Sequence, residues 1–467
     1  MTTYTVGPNS DFRTIASAMQ AAGPGDTLQL EPGYSNETAT VAFSGMTIFG
    51  GSTSRGIVLN LGIGIATITL TGTAPLRLND ARDGNGIVGN AGNNVITVTD
   101  GVDAVDGGLG VDRLIVDYRD SIAAVTGDST SNFTEAGGAG RMVTMTDGTI
   151  EHFTILTGSG ADTITTGAGN DTIRTGEGAS TVSAGQGANT IIGGANADTV
   201  TALDGGNTVH TGDGTNTVTT GAGADFIYSG KGADTIVAGA GVDLITLRGG
   251  ADTVDAGAGE DRLVVDYSAM ATNVSGGVKG GNATTGYVGH IADLVGNSIN
   301  FQASESFAIS TGRGNDQVTT GDGADILRGN DGQDILNGGG GQDDLFGGAG
   351  SDRLRGGLGT DRVSGGAGAD VFVFATVAEA SFGAGHDLIR DFQSGVDRIH
   401  LAAMDADTTD ASDQSFVFIG SAQFSSQAGQ LRYANNVVTG DVDGDGRADF
   451  TIVLTDAGAL TQGDFFL

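Results

Sequence analysis

From residue 157 to residue 264 the chain repeats every nine residues, twelve times without an insertion, and no other feature restricts its fold as strongly. The eighth position of each unit is a branched aliphatic residue, from Ile164 and Ile173 through Val254 and Leu263. The sixth position is acidic or small and polar: Asp162, Asp171, Ser180, Asn189, Asp198, Asn207, Asn216, Asp225, Asp234, Asp243, Asp252 and Asp261. Positions two and four are mostly Gly. Seven further units fill 311–373, and there the sixth position is always Asp: Asp316, Asp325, Asp334, Asp343, Asp352, Asp361 and Asp370. Their glycine pairs are Gly312/Gly314, Gly321/Gly323, Gly339/Gly341, Gly348/Gly350, Gly357/Gly359 and Gly366/Gly368. A weaker run over about 80–115 holds the register through Asn85, Asn94, Asp103 and Asp112.

Each unit has one physical reading. Its last three residues, such as Thr163-Ile164-Thr165, form a short strand that turns one apolar side chain inward. Its first six form a turn whose glycines accept φ > 0 and present their carbonyls. Carbonyl and carboxylate oxygens are hard ligands, suited to Ca2+ rather than to zinc. A single unit cannot bury its one Ile or Val, so the units must stack, and an all-β parallel solenoid follows.

The units resemble the Gly-Gly-x-Gly-x-Asp-x-U-x repeats of the RTX family, most closely at 338–346 (GGGGQDDLF) and 347–355 (GGAGSDRLR). The resemblance implies a parallel β-roll with two units per turn and multiple Ca2+ ions held between successive turns along each edge. The metal ligands it implies are the sixth-position aspartates, Asp112 included, and the glycine pairs of the second array. Ser180, Asn189, Asn207 and Asn216 depart from the pattern, as do Leu203 and Arg248 at position two. The middle of the first array is therefore expected to bind calcium weakly or not at all.

The net charge of −35 repels phosphate and excludes a nucleic-acid binder. Cys is absent, which removes disulfides, thiol catalysis and Cys-based zinc sites. No apolar run is long enough to span a membrane, and the start of the chain has neither a basic n-region nor an apolar h-region. The five histidines form no His-Glu-x-x-His; Gly-x-Ser-x-Gly and Walker motifs are also missing, so no catalytic residue is assigned.

A longer repeat overlies the short one. GLGVDRLIVDY (108–118) and GAGEDRLVVDY (257–267) each precede about forty irregular residues. A new array then begins through Glu151-His152-Phe153 or Glu305-Ser306-Phe307. The reading is a duplicated cassette, with each Asp-Tyr pair a solenoid exit turn. Expected boundaries are an N-terminal cap at 1–79, a degenerate array at 80–118, an insertion at 119–156 and an array at 157–267. A second insertion at 268–310, an array at 311–373 and a C-terminal β-domain at 374–467 complete the chain.

In the cap, apolar residues at helical spacing predict a helix over 11–22, with Ser10 as N-cap and Gly23 as stop. Strands are predicted at 27–30, 46–49, 57–59, 65–70 and 76–78. This segment is similar to the start of right-handed β-helix proteins of the pectate-lyase type. The stretch from Asp370 through His386-Asp387-Leu388-Ile389 to Asp449-Phe450 resembles the C-terminal β-domain of serralysin-type secreted proteases. That resemblance implies an uncleaved type I secretion signal ending in Phe465-Phe466-Leu467, and hence a type I exporter as partner. Asp441, Asp443 and Asp445 read as an acidic hairpin turn, because Ile452 stands where an EF-hand loop needs Glu.

The function expected is that of a secreted, calcium-binding structural protein of the cell surface or matrix, surface-layer or adhesin-like. It would fold on Ca2+ after export, with further copies of itself or surface polysaccharide as partners. Two alternatives stay open: a polysaccharide-active module of lyase or epimerase type, and an ice-binding solenoid using the outward threonines of 163–219.

Overall fold

The computed structural model describes residues 1–80, 83–137, 140–146, 148–380, 385–410, 412–455 and 457–467. They divide into two compact units, Met1–Ser229 and Gly230–Leu467. Both are built mainly from parallel strands, and each is a two-faced β-solenoid.

In the first unit the tripeptide strands pair at a spacing of eighteen residues, two nonapeptides per turn. Thr163, Thr181, Thr199 and Thr217 are successive partners on one face. Thr172, Thr190, Thr208 and Phe226 are partners on the other. The aliphatic residue at the centre of each strand faces inward, and Ile164 through Ile227 are all at most 2% exposed. Full burial of such a side chain is worth about 1.5–3 kcal/mol, but only when a neighbouring turn supplies the other wall. The threonines on either side of it face outward, so Thr163, Thr181, Thr199 and Thr217 form an exposed column.

The first eighty residues share this plan. Thr3–Val6, Thr27–Leu30, Met46–Gly50 and Thr67–Gly72 pair in parallel on one face. Thr38–Val41, Ile57–Leu61 and Leu76–Asn79 do so on the other. The helix expected over 11–22 is confined to Ile15–Met19, and its N-cap is Thr14, not Ser10. Thr14 and Ser17 cap each other reciprocally, at 3.0 and 3.2 Å. Ser10 instead bonds Glu31, and Phe12 bridges to Val6, which holds residues 7–11 in a turn ahead of the helix. Ile15, Ala18 and Met19 are buried.

The two insertions are not irregular. Each is a three-stranded antiparallel meander: Val125–Asp128, Asn132–Glu135 and Met142–Met145 in the first cassette, Val274–Asn282, Gly286–Asp293 and Ser298–Ser304 in the second. The outer strands of each meander continue the solenoid face in parallel, onto Val102–Asp106 and Thr163–Thr165 in the first case. Ala251–Asp255 and Gln317–Thr319 receive them in the second. The same arrangement recurs in both cassettes, with Tyr118 and Tyr267 fully buried at equivalent turns.

In the second unit the 311–373 array has the same eighteen-residue register, Gln317 on Ile335 and Ile335 on Arg353. Both faces then run on past the last repeat: Leu388 pairs with Arg362, and Arg398 with Val371. Phe465 and Phe466 form the last strand on one face, opposite Ile399 and His400. Val437–Asp441 and Phe450–Leu454 are an antiparallel pair, so the acidic segment between them is a hairpin turn.

Candidate calcium-binding edges

The sixth residue of each unit stands one position before its strand, at the corner where the chain turns, except Asp252, which lies within the strand Ala251–Asp255. All of these residues are buried, from Asp112, Asp162 and Asp171 through Asp198, Asp225, Asp234, Asp243, Asp252 and Asp261 to the seven of the second array. One carboxylate oxygen has a fixed role. Asp334 Oδ1 accepts the Asp316 N–H at 2.8 Å, Asp352 accepts from Asp334 at 2.8 Å, and Asp370 from Asp352 at 2.9 Å. On the opposite edge Asp343 accepts from Asp325 at 2.9 Å and Asp361 from Asp343 at 3.0 Å. The aspartates therefore form two ladders, one rung per turn.

The second oxygen has no such role. Oδ2 of Asp334, Asp343, Asp352, Asp361 and Asp370 is buried and has no hydrogen-bond partner among the described residues. It lies against the glycine that opens the same unit, Gly329, Gly338, Gly347, Gly356 or Gly365. A Cβ placed on Gly329 would lie 2.2 Å from Asp334 Oδ2 and 2.6 Å from the Gly347 carbonyl oxygen one turn on. Unpaired buried oxygens of this kind are costly unless a cation satisfies them. Burial, with neighbouring carboxylates adding repulsion, pushes Asp343 up to about 8, Asp334 to about 7, and Asp361 and Asp370 to about 6. A closed set of hard, anionic oxygens is the donor chemistry of Ca2+, and the residues present fit that ion.

The glycine pairs serve two purposes. Gly339, Gly341, Gly348, Gly350, Gly357, Gly359, Gly366 and Gly368 all have φ between 97° and 146°. Gly312, Gly314, Gly321 and Gly323 do not adopt positive φ. They sit on the insertion instead of on another nonapeptide, and close approach excludes a Cβ there: one on Gly312 would lie 2.1 Å from the Met270 carbonyl.

The degenerate units of the first array have a different interior. Asn189 Nδ2 donates to the carbonyls of Gly185 and Gly187 at 3.3 and 3.1 Å. Asn207 donates to Leu203 and Gly205 at 3.0 and 2.8 Å, and Asn216 to Gly212 and Gly214 at 3.3 Å each. These are the carbonyls of positions two and four, the ones expected to face an ion. Each Asn keeps the ladder through Oδ1, as where Asn207 accepts from Asn189 at 3.1 Å, and its amide latches the turn. Without Ca2+, hydrogen exchange is expected to leave the amides of 189–218 protected and to free those of 316–373. Asn207→Ala should cost about 1–3 kcal/mol, since it strands two carbonyls. Equal loss of protection in both segments would refute the latch.

Four rungs escaped the nonapeptide pattern. Asp387 accepts the Asp361 N–H at 2.8 Å, and Asp397 accepts that of Asp370 at 3.0 Å. Glu151 accepts from Asp112 at 2.7 Å and Glu305 from Asp261 at 2.8 Å. The signal was an acid one or two residues before an apolar strand residue, at a spacing other than nine. In the C-terminal hairpin, oxygens of Asp441, Asp443 and Asp449 lie within 4.8 Å of one another, and both Asp441 oxygens accept backbone N–H groups of Gly444 and Gly446. His210 lies exposed with its ring 5.5 Å from that of Tyr228.

The family model of the RTX calcium-binding nonapeptide repeat (4 copies) matches residues 84–114, 154–182, 174–209, 201–236, 210–245, 230–263, 310–345 and 337–372. A comparison with curated proteins finds no match. Among solved structures, the extracellular lipase LipA from Serratia marcescens is similar at 15% identity over 54% of this chain, with a TM-score of 0.16. This chain spans 40% of that lipase, and the likeness carries no argument about activity.

Proposed function

With tandem RTX calcium-binding repeats as the premise, we propose a secreted structural protein of the cell surface or extracellular matrix, surface-layer or adhesin-like, that folds on meeting Ca2+. The observation that carries this reading is the double ladder of buried aspartates, in which Oδ2 of Asp334, Asp343, Asp352, Asp361 and Asp370 lacks a hydrogen-bond partner among the described residues. Such a stack is self-repelling where Ca2+ is scarce, as in the cytosol, and is held together where Ca2+ is abundant. An extended chain suits passage through a type I exporter, the partner implied by the serralysin-like segment from 374 onward. The acidic groups serve as rungs, which favours a scaffold over an enzyme. No helix among the described residues is long and apolar enough to cross a membrane.

Electron microscopy of the purified protein with and without millimolar Ca2+ tests the assembly role. A lattice or filament that forms only with Ca2+ is expected. Dispersed single particles at every concentration would sink it. The exposed column Thr163, Thr181, Thr199 and Thr217 favours one other reading, ice binding, because strand neighbours lie about 4.8 Å apart and alternate residues about 6.7 Å. Thermal hysteresis in the Ca2+-loaded protein, lost in Thr199→Lys with Thr217→Lys, would shift the assignment there.

A further inference from the structure

Glu151 and Glu305 lie outside every stretch matched by the repeat family, yet each completes a ladder across an insertion. In the first cassette Asp112 is 1% exposed, its Oδ1 accepts the Asn94 N–H at 2.6 Å, and its Oδ2 has no hydrogen-bond partner among the described residues. The corner beside it matches that of the second array. A Cβ on Gly107 would lie 1.9 Å from the Thr149 carbonyl oxygen and 2.8 Å from Asp112 Oδ2. Thr149 Oγ1 accepts the Gly107 N–H at 3.0 Å and fixes that wall.

The second cassette repeats the carboxylate pair. Asp261 is fully buried, its Oδ1 accepts the Asp243 N–H at 2.8 Å, and its Oδ2 again lacks a partner; Glu305 is 5% exposed. Ala256 holds the corner that Gly107 holds in the first copy, and its N–H reaches the Gln302 carbonyl at 3.1 Å. Among the described residues no Lys, Arg or His forms an ion pair with Asp112, Glu151, Asp261 or Glu305. Two acids per junction, one with a buried unsatisfied oxygen, must be neutralised there, by protonation at low pH or by a cation once they ionise.

We propose that each cassette junction is a cation site, with Ca2+ held between Asp112 and Glu151 and between Asp261 and Glu305. The inference rests on the calcium reading of the arrays and extends it to residues that the nonapeptide does not contain. Glutamate is used because the chain rejoins the solenoid out of nonapeptide register, and its extra methylene lets the carboxylate reach both the rung amide and the ion. Each ion would close the loop that contains a meander, pinning its two ends to one turn of the solenoid.

Native mass spectrometry of the full chain at fixed Ca2+ counts bound ions as integers. Glu151→Gln and Glu305→Gln keep an amide oxygen for the rung and remove the charge, so each is expected to lower the count by one. Limited proteolysis in Ca2+ should then cut within 125–145 or 274–304, segments expected to resist cleavage in the parent. Circular dichroism identifies a variant that fails to fold; in that case the other junction, or the shorter acid in Glu151→Asp, decides. Asp343→Asn serves as the reference inside the array. An ion lost in Asp343→Asn but none in either folded glutamine variant overturns the junction sites alone. No ion lost in Asp343→Asn overturns the array reading, and this inference with it.

Discussion

Stripping Ca2+ from the protein at pH 8 is expected to unfold the 311–373 array and abolish most of its far-UV circular dichroism, and restoring Ca2+ should reverse the change. The size of the effect follows from linkage. Extracellular calcium modules bind with Kd of about 10⁻⁴–10⁻³ M. At ten to a hundred times Kd each site adds about 1.4–2.7 kcal/mol. Ten sites would add on the order of 14–27 kcal/mol, against a usual net stability of ~5–15 kcal/mol. A far-UV spectrum unchanged after chelation would refute calcium-dependent folding. Asp343→Asn should weaken the dependence rather than destroy the fold, because Asn207 Oδ1, accepting the Asn189 N–H, shows that an amide can hold a rung by itself.

The second large effect is an inverted pH dependence of the calcium-free chain. Asp343 is held at about 8, Asp334 at about 7, and Asp361 and Asp370 at about 6, while an unfolded Asp titrates near ~3.9. The folded state thus binds more protons than the unfolded state between these values. Stability from these groups is fully present below pH ~3.9 and is lost as pH rises through 6 to 8. Each unit of such a shift corresponds to about 1.4 kcal/mol against the ionised stack. The net charge of −35 adds repulsion of the same sign. Denaturant titrations of calcium-free protein at pH 5, 6, 7 and 8 should therefore show the midpoint falling with pH, towards zero denaturant at pH 8, where the array is expected to be unfolded. With saturating Ca2+ the trend should reverse, since protons and Ca2+ compete for the same oxygens. A calcium-free midpoint that rises from pH 5 to pH 8 would refute the buried, unpaired state of these carboxylates.

How much of this is legible in the residues themselves differs from one element to another. Ile164 through Leu263 can be placed in the core from periodicity alone, because a nine-residue unit with one inward aliphatic has a single way to bury it. The sixth-position aspartates can likewise be assigned to the corners. The N-cap at Thr14 is not legible in the same way: Ser10 has equal capping chemistry, and its contact with Glu31, twenty-one residues on, settles the choice. The insertions looked irregular because their strands alternate between a meander of their own and the two solenoid turns that they bridge. No local pattern records such double pairing.

Sequence by itself determined the repeat length, the two-faced stack and the acidic edges, since all three depend on side-chain chemistry at a fixed period. Tertiary structure decided which acids complete the ladders. Glu151, Glu305, Asp387 and Asp397 become rungs because the chain returns to the edge after insertions of unequal length, and proximity across a turn replaces spacing along the chain. It also decided what the asparagines do. A vacant ligand position and an amide latch have the same sequence signature, and only the 2.8–3.3 Å approach of Nδ2 to the carbonyls of positions two and four tells them apart. The physical reason is common to both cases: hydrogen bonds and ion sites are settled by a few tenths of an ångström between chain segments, whereas the hydrophobic period needs only the identity of every ninth residue.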